Sequence, residues 1–200
     1  MKNWIFYLLA IGFTASCGSN SDSEGDQTEQ VESAEEILTS IQEIDDSLKT
    51  MIDKKMEDDS YKVDKIVYHE AINRNKKFFS MYPDHEKAES AVDKIASLYM
   101  QIGVQKEAAK WRDTLLAKFP ETKNKIGLLE MQLNYYDYDQ RDTEKMEYYL
   151  EELLKQENLS EEKKESYEFR LKHIDKTFEE LIELRRIEDS IANAQNEKES

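Results

Sequence analysis

Apolar positions alternate at spacings of three and four from Ala34 through Ile37, Ile41, Ile44, Leu48 and Met51, with Leu38 and Ile52 widening the stripe. That period places one apolar face on an amphipathic helix of about Ser33 to Glu57. The next seam position is Lys55, so the stripe is shorter than a coiled coil needs, and packing on its own chain is expected. A second helix is predicted from Ser60 to Met81, with Val63, Ile66, Val67, Ala71 and Phe78 inward. It must stop at Tyr82, because the following proline disfavours the helical region there. Pro83 fits the opening of a third helix, with Asp84 and Glu86 on its positive end. That helix turns Ala88, Ala91, Val92, Ile95, Ala96, Tyr99 and Ile102 inward and ends at Gly103. A fourth carries Ala108, Trp111, Leu115 and Phe119.

Beyond Pro120 the pattern is looser. Ile126, Leu129, Leu133 and Tyr136 mark one helix, and Met146, Tyr149, Leu150, Leu153 and Leu154 another. Ser160 is a good N-cap for a final helix, with Glu161 and Glu162 in its first turn. Its stripe, Tyr167, Leu171, Ile174, Phe178, Leu181, Leu184, Ile187 and Ile191, predicts one long helix that covers the open end of a stack. From Ala192 the chain should fray, leaving residues 196–200 as a tail. With five glycines and two prolines in 200 residues, long helices are favoured and a sheet is hard to place, so the fold class is all-α.

One stretch repeats itself. Ala71-Ile72 leads to Phe78-Phe79 and Tyr82-Pro83; then Ala108-Ala109 leads to Leu115-Leu116 and Phe119-Pro120, 37 positions from Pro83 to Pro120. A period of roughly 30 to 40 residues is what stacked helix pairs produce. Ala96, Tyr99, the turn at Gly103, Ala108 and Pro120 resemble the small, aromatic, turn, small and proline positions of a tetratricopeptide repeat, and Ala71, Phe78 and Pro83 resemble the second half of an earlier one. Arg112 departs from that pattern by standing where the repeat has a large apolar residue, with Trp111 beside it. Residues 71–122 are also similar to the repeat lipoproteins of outer-membrane assembly and to the periplasmic Tol-Pal coordinator. The resemblance implies a short α-solenoid of antiparallel helix pairs over residues 33–195, with long terminal helices, in which Ala96 and Ala108 face each other so that two axes approach closely.

The start of the chain carries an address. Lys2 precedes an apolar run from Trp4 to Phe13, too short to span a bilayer and suited to a secretory leader over residues 1–16. Thr14-Ala15-Ser16-Cys17 then resembles the lipobox of bacterial lipoproteins, with Thr14 where that family more often has leucine. The resemblance implies cleavage before Cys17 and a lipid on its thiol, tying the mature chain to a membrane. Residues 17–32 lack large apolar side chains apart from Val31 and read as a lipidated cysteine followed by an acidic tether. Gly18 resembles the residues that permit sorting to the outer membrane. Asp22, Glu24 and Asp26 weakly resemble the acidic tether of surface-exposed lipoproteins in the Bacteroidetes group, or are a solvated spacer.

A net charge of −16, from 28 basic and 44 acidic residues, argues against nucleic acid, whose affinity comes from neutralised phosphates. No cofactor and no small-molecule substrate is indicated. His69, His85 and His173 lack the second histidine at i+4 that a helical zinc pair requires. Asp137, Asp139 and Asp142 fail as a calcium loop, because Arg141 takes a ligand position and no closing glutamate follows. They read as a polar turn between helices. Tyr135, Tyr136, Tyr138, Tyr148 and Tyr149 cannot all face inward at helical spacing, and with Trp111 they are candidate partner-binding residues; half core and half incidental surface is the competing reading. The functional expectation is a membrane-anchored scaffold for a protein partner. The alternatives are a self-associating structural lipoprotein using the Ile37–Met51 seam and, third, an enzyme without a recognisable motif.

Overall fold

The computed structural model describes residues 32–62 and 64–199. The leader, Cys17 and the tether through Val31 therefore lie outside the described residues. Eight α-helices make up the described chain, joined by turns, with no strand among the described residues. None of the described helices is long and apolar enough to cross a membrane.

Helix α1 spans Ala34–Glu57 and opens with a capping box. The Glu36 carboxylate accepts from the Ser33 N–H at 2.7 Å, and the Ser33 hydroxyl accepts from the Glu36 N–H at 3.3 Å. Two N–H groups that the first turn leaves free are thereby satisfied. Helix α2 spans Lys65–Met81. It begins later than the expected Ser60, because Asp64 caps it by accepting from the Ile66 N–H at 2.8 Å. Ile66 then falls in an exposed first turn with 75 % of its surface open, which corrects its assignment as a core residue.

Helices α3, Ala88–Gln101, and α4, Gln105–Lys118, form the most extensively packed pair. Gly103 at φ 79° makes the turn between them. The Val104 N–H reaches the Tyr99 carbonyl at 2.9 Å and the Gly103 N–H reaches Met100 at 3.0 Å, an arrangement that needs a left-handed residue at Gly103. Pro83 does not open α3. It sits in a turn before Ala88, and that turn recurs. Tyr82 N–H bonds to the Phe78 carbonyl, His85 to Tyr82 and Ala88 to His85. Then Phe119 bonds to Leu115, Thr122 to Phe119 and Lys125 to Thr122. The repeat seen in the sequence is thus a repeat of backbone hydrogen bonds, and both prolines begin a turn, where a missing N–H costs nothing.

Helix α5, Lys125–Asn134, runs directly into a π-helical turn, Tyr135–Gln140, which ends at Arg141 with φ 53°. Helix α6 spans Thr143–Leu154 and α7 spans Glu161–Lys172. Helix α8, Phe178–Glu199, is separate from α7, which overturns the expectation of one long last helix from Ser160. The Thr177 N–H donates to the Glu180 carboxylate at 2.7 Å and the Glu180 N–H to the Thr177 hydroxyl at 3.3 Å, a second capping box that starts a new helix. Helix α8 continues to Glu199, through positions expected to fray.

From α1 to α7 each helix packs on the next in sequence. Leu48 and Met51 of α1 meet Tyr68, Ala71 and Ile72 of α2 and Ile95 and Leu98 of α3. The α1 seam is therefore spent inside the chain, as its length suggested. Val92, Leu115 and Leu128 carry the core from α3 through α4 to α5. Leu129, Leu133, Met146, Leu150 and Leu153 continue it toward Tyr167 and Leu171 of α7. The many small buried residues, Ala71, Ala88, Ala91, Ala96, Ala108 and Ala109, lie in the first four helices, where close approach of axes is gained by removing side-chain volume.

Candidate functional site

Where α4 meets α5, the apolar core gives way to a polar network. Arg112 on α4 and Gln132 on α5 are both buried, with 5 % and 0 % of their surfaces open. Arg112 Nε donates to Gln132 Oε1 at 2.7 Å. The Gln132 amide nitrogen turns back to the Ala109 carbonyl at 3.0 Å and also reaches the Asp113 carboxylate. Asp113 collects two further donors, the Tyr149 hydroxyl on the same oxygen and the Tyr136 hydroxyl on the other at 3.3 Å. The rings of Tyr136 and Tyr149 stack with centroids 5.6 Å apart. Helices α4, α5 and α6 are thus tied through one carboxylate.

Burial sets the titration of this cluster. It pushes the Tyr136 phenol up to about 12, with the charge on Asp113 adding to the effect. Tyr149 moves further in the same direction, from burial first and its bond to Asp113 second. Burial lowers the Arg112 pKa, against the pull of Asp113, yet a guanidinium starts so high that it stays charged.

Arg112 also lines a cleft of about 540 Å³, together with Met100, Gln105, Met131, Asn134, Tyr135, Tyr138 and Asp139. Met131 and Tyr138 are exposed, at 41 % and 60 %. The π-helical turn positions this wall. An α-helix continued past Asn134 would rotate Tyr135 through Tyr138 differently, whereas the wider turn keeps Tyr135 buried beside Arg112 and Tyr138 at the rim. A second ionic cluster holds the turn. Arg170 of α7 grips Asp137 through Nε at 2.7 Å and Nη2 at 2.8 Å, and Arg141 adds Nη1 at 2.9 Å. Asp137 is therefore a half-buried joint between the turn and α7, which corrects its reading as part of a merely polar turn.

The six aromatic candidates divide. Tyr135 and Tyr149 are buried, Tyr136 and Trp111 are half-buried, and Tyr138 and Tyr148 are exposed. Trp111 packs edge-on to Phe79 with ring centroids 6.2 Å apart, and Lys76 Nζ lies 5.4 Å from its ring. Only Tyr135 and Tyr138 of the group reach the Arg112 cleft. Among the repeat positions, Ala71, Ala96 and Ala108 are buried, Tyr99 is half-buried and accepts from Lys76 Nζ at 2.7 Å, and Gly103, Pro83 and Pro120 are exposed in turns. Gln132 and Asp113 were missed by the sequence reading. Arg112 was visible only as a misfit in the repeat, and that misfit was the available signal.

Among the described residues, no three histidine, cysteine or acidic side chains are grouped so as to hold a metal ion. The chain matches no protein-family model, no curated protein and no solved structure.

Proposed function

We propose that this chain is a lipid-anchored protein of the bacterial envelope that holds a partner polypeptide, with paired helices in a tetratricopeptide-like stack forming the holding surface. The address rests on the Thr14-Ala15-Ser16-Cys17 stretch after a short apolar leader, which resembles a lipobox and favours the outer membrane through Gly18. The stack is supported by neighbour-to-neighbour packing from α1 to α7 and by the duplicated turn at Pro83 and Pro120. In that reading α1 and α8 are its terminal helices.

The observation that carries the binding role is the Arg112 cleft, where exposed Met100, Met131 and Tyr138 stand together around a buried charge. Methionine and tyrosine give adaptable contact area at low entropic cost. Purification from native membranes in mild detergent tests the proposal. A defined protein should be retained, and lost when Tyr138→Ala and Met131→Ala are combined. Recovery of the chain alone would count against it.

Self-association is the second reading, and α8 is the feature that favours it. Phe178, Ile182, Ile187 and Ile191 are each about half exposed along that helix, so sedimentation of the protein as a monomer would remove this reading.

A further inference from the structure

Arg112 is a buried cation whose charge no carboxylate meets directly. Among the described residues no acidic oxygen lies within salt-bridge distance of it; its Nε is taken by the neutral Gln132 amide, and Nη1 has only the Met100 sulfur at 4.0 Å. The adjacent acid, Asp113, is engaged on its other side, where its oxygens receive Gln132, Tyr149 and Tyr136. Burying a charge is expensive unless it is paired. Arg112 is one of the residues lining the cleft, and its Nη2 has no hydrogen-bond partner among the described residues. Tyr135, also buried, lies in the same wall.

We propose that the cleft receives a carboxylate of the bound polypeptide, with the outer edge of Arg112 taking its two oxygens. Resting on the scaffold reading above, this names the chemistry of the partner at that site. Arginine's planar fork matches a carboxylate in two parallel bonds. The surroundings define the rest of the ligand. Met100 and Met131 supply apolar walls for a side chain beside the carboxylate, and Asn134 and Gln105 supply neutral polar groups for a peptide backbone. A strongly acidic segment is disfavoured by Asp139 at the cleft and by the −16 charge of the chain. The fitting ligand is one carboxylate on an otherwise uncharged, apolar segment. Such a carboxylate is either a chain terminus or a single acidic side chain.

Three peptides separate the possibilities with the full-length chain in detergent: acetyl-Ala-Val-Leu with a free terminus, its C-terminal amide, and acetyl-Ala-Asp-Leu amide. Calorimetry gives the affinity, and the Arg112 Nε–Hε resonance reports contact. One of the two carboxylate peptides should shift that resonance and bind about tenfold or more tighter than the uncharged amide; the tighter of the two identifies the source. Met131→Asp places a negative charge at an exposed position that leaves the core intact, and should weaken the same peptide by a similar factor. Asp139→Asn should strengthen it. Equal binding of acid and amide, or no binding of either carboxylate peptide at millimolar concentration, overturns the proposal. A membrane partner captured undiminished by Met131→Asp overturns it too, while leaving the scaffold reading in place.

Discussion

Arg112 and Gln132 are joined by a 2.7 Å bond across the seam between α4 and α5, at the one place where that seam is polar instead of apolar. Elsewhere the two helices meet through Leu115, Leu116 and Leu128. Gln132 is the hinge of the arrangement, since its carbonyl serves a cation and its amide serves an anion and a backbone carbonyl. A neutral amide can sit between the two charges in this way because it is a donor and an acceptor at once.

Replacing Gln132 with leucine keeps the volume and removes both functions. Arg112 Nε and the Asp113 carboxylate then lose a buried partner simultaneously. Hydrogen bonds to charged groups are worth about 1.5–3 kcal/mol each, so the expected loss is about 3 kcal/mol in urea unfolding, with an unchanged m-value. A loss under about 1 kcal/mol would show that water already serves these groups.

The tyrosines make the network sensitive to alkali. A phenol whose folded pKa is raised is favoured by folding in its neutral form. Its contribution is complete below the unfolded pKa of about 10 and is lost as pH rises through the folded value of about 12 for Tyr136. Stability should therefore fall between about pH 10 and 12. Absorbance titration of the phenolate band should show tyrosines that ionise late, and Asp113→Asn should bring Tyr136 down. Titration of every tyrosine near 10 in the folded protein contradicts this.

The amphipathic stripes were legible because a period of 3.6 is a property of the chain alone. Ser33 with Glu36 is likewise a local signal, whereas Asp64 before α2 is a local signal that the expected start at Ser60 passed over. The same kind of signal, Thr177 with Glu180, lay inside a continuous apolar stripe and was overridden by it, so the break between α7 and α8 was missed. Arg170 explains why the break holds. Its Nη1 caps the His173 carbonyl at 2.6 Å, and Arg141 Nη2 caps Lys176 at 2.7 Å, contacts made from 35 positions away in the second case. No local reading contains that second contact. The Arg112 network was hidden for the same reason: its members come from three helices, and a buried arginine looks in sequence like an exposed one.

The alanines of the α3–α4 hairpin offer a direct check on the packing. Ala96 and Ala108 are 3 % and 0 % exposed, so Ala96→Leu or Ala108→Leu must push side chains or backbone aside. Overpacking of this kind costs about 1–3 kcal/mol. Ala117→Leu, on the exposed side of α4, should stay within about 0.5 kcal/mol. Equal melting of all three variants would mean that α3 and α4 do not approach through these residues.

Asp137 controls the region beyond α6. Its two oxygens hold Arg170 and Arg141, and those arginines spend their remaining donors on the carbonyls of His173 and Lys176, between α7 and α8. Asp137→Ala leaves both guanidinium groups without their carboxylate, and Arg170 is only 11 % exposed. Breaking such a pair costs more than a surface bridge, because one charge stays partly buried, and a loss of about 2–3 kcal/mol is expected. The change should be local in hydrogen exchange. Amides of Lys176, Leu181 and the first turn of α8 should exchange faster, while Ile72, Ile95 and Leu98 of the first helices keep their protection, because α8 meets the body through Tyr138–Phe178, Arg185–Phe169 and the buried Leu181, next to this ionic joint and far from the first helices. Faster exchange spread evenly over α1 to α4 would show instead that the chain opens as a single unit and that Asp137 is not a local joint.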